Sequence, residues 1–62
     1  MTKPAITIED IIAYHEWRAK DFVLAAEDCR ACRNERTASR HDLRAAAHRE
    51  AAALLRKEAD NG

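Results

Sequence analysis

Two runs of apolar residues at helical spacing, joined by one short stretch of weak helix formers, constrain this 62-residue chain most. In the first run Ile8, Ile11, Ile12, His15, Ala19, Phe22, Ala26 and Cys29 follow the period of one helix face. In the second, Leu43, Ala46, Ala47, Ala51 and Leu54 do the same. The start signals agree. Thr7 can cap a first helix, Glu9 and Asp10 place negative charge in its first turn, and Ile6 can staple onto Ile11. Ser39, with Asp42 three residues on, can cap a second. Asn34-Glu35-Arg36-Thr37-Ala38 lies between them, with Asn34 as a left-handed C-cap and Arg30 and Arg33 complementing the negative helix end. The pattern predicts a helix over about 8–33, a turn over about 34–38 and a helix over about 39–59, with residues 1–6 and 60–62 frayed. So short a turn makes the helices antiparallel, an all-α hairpin forming one domain over 1–62. A single continuous helix is the competing reading.

Alanine limits how such a hairpin can be stabilised. Fourteen hydrophobic residues are alanine, which favours helix and close packing but buries little apolar area. An unaided core of this size supplies no more than ~3–5 kcal/mol. The length and composition exclude a two-domain enzyme, a transmembrane protein and a disulfide-stapled miniprotein. With one glycine there is no phosphate-cradling loop.

Each predicted helix also carries a second stripe. Ala13, Trp17, Leu24 and Ala31 form one on the first helix. His41, Ala45, His48, Ala52, Leu55 and Ala59 recur on the second at spacings of four and three, as in a coiled-coil seam. Taking the Leu43–Leu54 run as the inner seam leaves both second stripes uncovered, so the expectation is a homodimer forming a four-helix bundle. His41, His48, Ala52 and Leu55 are then the oligomer interface. Protonation of His41 and His48 near pH 6 should weaken that association, which a dimer constant followed from pH 8 to 5.5 would report.

Charge is balanced overall and divided along the chain. Eleven basic and eleven acidic residues cancel, so no global field steers the protein to nucleic acid or to an anionic membrane. Residues 8–28 carry six acids against Arg18 and Lys20, whereas residues 29–49 carry six arginines against Glu35 and Asp42. Neither a third helix nor helix-turn-helix spacing is expected, and no basic amphipathic face suits a membrane surface. Met1-Thr2-Lys3-Pro4 begins no secretory signal, and the two cysteines fit a reducing, cytoplasmic setting.

Candidate chemistry is sparse. Cys29-Arg30-Ala31-Cys32 has redox spacing, but near a helix C-terminus the dipole raises thiol pKa. The expected role of both cysteines is that of small buried apolar residues. A zinc site on Cys29, Cys32 and His41 lacks a fourth ligand, because His48 lies roughly 10 Å further along the axis. Ser39 is the only serine, and two helices offer no cleft for a substrate. Neither an enzyme nor a cofactor is therefore expected. The better candidates form a protein contact: Tyr14, Trp17 and Leu24 as its apolar part, Arg33, Arg36 and Arg40 as its polar part.

The segment from Arg40 to Arg56, RHDLRAAAHREAAALLR, resembles the closing helix of many small Ala/Arg/Glu-rich hairpin proteins of tailed bacteriophages and prophages. The resemblance implies a stoichiometric inhibitor of a host protein, of the anti-defence (such as anti-CRISPR) or anti-quorum-sensing kind, in the bacterial cytoplasm. A structural assembly subunit, a zinc protein and a nucleic-acid-binding protein are the alternatives.

Overall fold

The computed structural model describes residues 5–61 and consists of two α-helices, α1 (Ile8–Ala31) and α2 (Glu35–Asn61), packed against each other as a hairpin. The first start signal is realised as a capping box. The Thr7 hydroxyl accepts from the Asp10 amide at 3.2 Å, and the Asp10 carboxylate accepts from the Thr7 amide at 3.0 Å. Ile6 and Ile11 line one shallow groove with Asp10 and Tyr14, where the staple was expected.

The turn is tighter than the sequence suggested. Cys32 is the C-cap, and Arg33, with φ 60°, takes the left-handed position expected of Asn34. The Asn34 amide donates to the Cys29 carbonyl at 2.7 Å and the Arg33 amide to the Arg30 carbonyl at 2.9 Å, the bonding of a Schellman motif. Asn34 then caps α2, its side-chain oxygen accepting from the Thr37 amide at 3.2 Å. Ser39 therefore lies inside α2, which begins four residues before the expected start. Asn34 can close one helix and open the next, and burial of Ala38 draws residues 35–38 into the helix. Asp60 and Asn61 are helical and not frayed, while residues 1–4 and 62 lie outside the described residues.

A left-handed non-glycine residue is costly by roughly 1–2 kcal/mol. Arg33→Gly should accordingly stabilise the hairpin by about 0.5–1 kcal/mol, part of the relief being offset by greater freedom of the unfolded chain. Thermal unfolding followed by circular dichroism checks this. A lowered midpoint would show that the Arg33 side chain stabilises the turn.

The seam is a seven-residue repeat on both helices. Ile12, Ala19 and Ala26 of α1 and Ala38, Ala45 and Ala52 of α2 are the buried residues. Lettering the heptads so that these are position a, position d holds Ile8, His15, Phe22 and Cys29 on α1 and His41, His48 and Leu55 on α2, all half-buried. The expected inner face of the second helix is therefore corrected. Leu43 (72% exposed), Leu54 (58%), Ala46 and Ala47 face outward, and only Ala51 is half-buried. Leucines at the contact would hold the axes apart and leave Phe22 and the histidines in water. Alanine every seven residues lets the helices close up and brings those rings together.

Candidate functional site

The two faces of the hairpin differ in chemistry. One is flanked by ion pairs between position-e residues: Arg30 bonds Asp42, and Arg56 bonds Glu16. Arg30 also lies 3.4 Å from Glu35. The hydrogen bond from Arg30 holds the Asp42 carboxyl below its usual range. These pairs are solvent-exposed and contribute little stability.

The opposite face, formed by positions d, g and c, is a row of rings. His15 Nδ1 and His48 Nδ1 are 2.8 Å apart, so one imidazole donates and the other accepts. Tyr14 stands edge-on to both, with centroids 5.4 and 6.3 Å away. Phe22 stacks on His41 at 5.6 Å and on His48 at 5.7 Å. Because those histidines are seven residues apart, roughly 10 Å along α2, Phe22 lies between them. The Arg18 and Arg44 guanidiniums approach the same ring, at 4.8 and 5.8 Å from its centre. Arg18 Nε and His41 Nδ1 are buried there without a hydrogen-bond partner. Burial, then the neighbouring His15 and Arg18, push the His48 imidazole below its usual pKa. The Nδ1–Nδ1 contact accommodates one N–H, since two would point at each other.

The structure separates the candidate contact residues. Tyr14 lies on the ring face, whereas Trp17 (60% exposed) and Leu24 occupy position f on the back of α1. Arg33 is in the turn, Arg36 in the first turn of α2 and Arg40 one turn further, all exposed. Trp17 is sixteen residues from Arg33, roughly 24 Å at 1.5 Å per residue, so these form two patches. His41, His48, Ala52 and Leu55, expected between two chains, pack against α1 of their own chain.

Cys29 is half-buried, but Cys32 is exposed at the C-cap, which corrects the expectation that both are buried; both are free thiols. His41 stacks on Phe22, and no group of three or more His, Cys, Asp or Glu side chains among the described residues is arranged to hold a metal. No helix among them is long and apolar enough to cross a membrane.

The helical spacing puts His15 and Phe22 on the inner stripe of the first helix, but marks neither them nor Arg18 and Arg44 as site residues. Their signal was present, since the heptads at 8–29 and 38–59 match each other and not the Leu43–Leu54 run. The fold and this face together define an alanine-seamed helical hairpin of a single layer. No protein-family model, curated protein or solved structure matches the chain.

Proposed function

We propose that this hairpin is a protein-binding module completed by association, first with a second copy in a four-helix bundle and then with a target protein that it blocks stoichiometrically. One observation carries the reading. The hairpin is a slab 11 Å thick along its shortest axis, one helix deep, and exposes 5205 Å². A globular monomer of 7.0 kDa exposes about 4,000 Å². The difference, about 1,200 Å², exceeds the roughly 800 Å² per partner of a standard interface. A domain normally encloses its core between two layers, and this chain supplies one.

The ring face suits the second copy because Ile11, Tyr14 and Leu54, large apolar side chains left exposed, lie along it beside the half-buried rings. Trp17 and Leu24 remain outside that bundle, with Arg33 and Arg36 at its end, for a target. Blocking a host protein is the work that the resemblance to small phage hairpins adds. The test has two parts. Sedimentation equilibrium should show a dimer at micromolar concentration. A pull-down from bacterial lysate should capture one protein with the wild type and lose it with Trp17→Ala, the dimer intact. If Trp17→Ala dissociates the dimer, the tryptophan belongs to the self-contact. Higher oligomers without any captured protein would point to an assembly subunit.

A further inference from the structure

The ring face also specifies how a second copy lies on it. We infer that α1 of one copy packs crosswise on α2 of the other, with the two-fold axis running along the helices, and that Asp28 of each copy pairs with Arg44 of its partner. The inference rests on the dimer reading above and adds its geometry.

Three observations carry it. The first is charge. At the open edge of the ring face α1 presents Asp21 and Asp28, both exposed, and α2 presents Arg40 and Arg44. Among the described residues, Arg44 has no carboxylate within 4.0 Å and Asp28 has no cation. Laying α1 on α1 would oppose one acidic helix to another and leave the arginine edge of α2 without the aspartate edge across from it. Only the crosswise arrangement brings the two edges together.

The second is register. Side chains lean toward the N-terminus of their own helix, so flanking partners on antiparallel helices meet at a fixed offset. Both interhelical ion pairs of the closed edge, Arg30 with Asp42 and Glu16 with Arg56, join residues whose numbers add to 72. An axis along the helices sets α1 against the partner's α2 at the same heights and in the same antiparallel sense as inside the hairpin. The same offset then recurs across the interface, and Asp28 with Arg44 satisfies it.

The third is apolar cover. In that register Leu54 of one copy meets the aliphatic stem of Arg18 of the other, which covers one of the large apolar side chains the hairpin leaves exposed. The Arg18 Nε, which has no hydrogen-bond partner although the guanidinium lies 3.9 Å from Asp21, then lies beside Ala51 of the second copy, a residue small enough to admit it.

Charge exchange tests the arrangement. Asp28 and Arg44 are exposed, so Asp28→Arg and Arg44→Asp should leave helicity unchanged by circular dichroism. Each alone should weaken the dimer by at least about tenfold, because it sets like charges opposite each other. Mixing the two variants should restore a heterodimer to near wild-type affinity. In that heterodimer the introduced arginine faces the introduced aspartate, and the native Asp28 of one chain still faces the native Arg44 of the other. Single variants that dimerise like the wild type, or a mixture that stays monomeric, would overturn the crosswise geometry while leaving the dimer in place. A wild type that is monomeric up to millimolar concentration would instead overturn the dimer reading beneath it.

Discussion

Ala45→Leu is expected to lower the thermal midpoint of the hairpin by about 5–20 °C, whereas Ala46→Leu, one residue on, leaves it unchanged. Ala45 is 1% exposed and sits midway along the contact, between Ala38 at 0% and Ala52 at 4%. Each bears one methyl group, so the neighbouring helix has closed to the distance that a methyl allows. Leucine adds three carbons where there is no void, and overpacking of this kind costs about 1–3 kcal/mol. The seam has no second layer to relax into. Moving the axes apart at Ala45 also loosens Phe22 between His41 and His48 and opens the His15–His48 hydrogen bond. Against a total stability of ~3–5 kcal/mol, that loss takes a large share of the folding free energy and lowers the thermal midpoint accordingly. Leucine and alanine are both good helix formers, so propensity separates the two variants little. The comparison reads the register directly: an unchanged midpoint for Ala45→Leu together with a lowered one for Ala46→Leu would restore the Leu43–Leu54 face as the seam.

Acid should loosen the hairpin in a range where carboxylates are still ionised. His48 has a folded pKa below its usual value near 6.5, so the unfolded chain binds a proton more readily than the folded one. Its neutral form therefore supports folding fully above pH 6.5, and that support declines as the pH falls below 6.5. After burial, the neighbouring His15 and Arg18 add to the effect. Arg44 of α2 and Tyr14, which stands edge-on to His48, line the same ring cluster. Asp42 behaves in the opposite sense at lower pH: its carboxyl, held down by Arg30, supports folding above its usual range near 3.8 and loses that support as the pH falls further. Thermal midpoints should be flat from pH 8 to 7, fall by several degrees between pH 6.5 and 5, and fall again below pH 4. His48→Leu should flatten the first step and leave the second. A midpoint constant down to pH 5 would show that the His48 imidazole titrates equally in both states.

How much of this was legible in the sequence differs by level. The capping box was readable because Thr7 and Asp10 are three residues apart and their signal is local. The turn was half readable. Asn34 was recognised as a helix-end residue, but its dual use, with Arg33 forced left-handed, depends on two helices meeting at a chosen height. The two cysteines had identical local patterns, and only the position of the C-cap exposed Cys32. Trp17 and Leu24 were correctly placed on an outward stripe, since their spacing keeps them opposite the alanines of α1.

The sequence by itself determined two long helices, their caps and their antiparallel return, because periodicity, capping and a short connection act between near neighbours in the chain. It also determined that large apolar side chains would be too few to enclose a core. The tertiary structure decided which face of α2 turns inward. Both of its stripes are apolar by count, and a single helix carries no preference between them. Only the pair decides, because the approach distance allowed by alanine opposite alanine, and the rings it brings together, belong to both helices at once. That choice left the ring face open, with Arg44 and Asp28 unpaired among the described residues on its edge, and made it the surface on which a partner is expected.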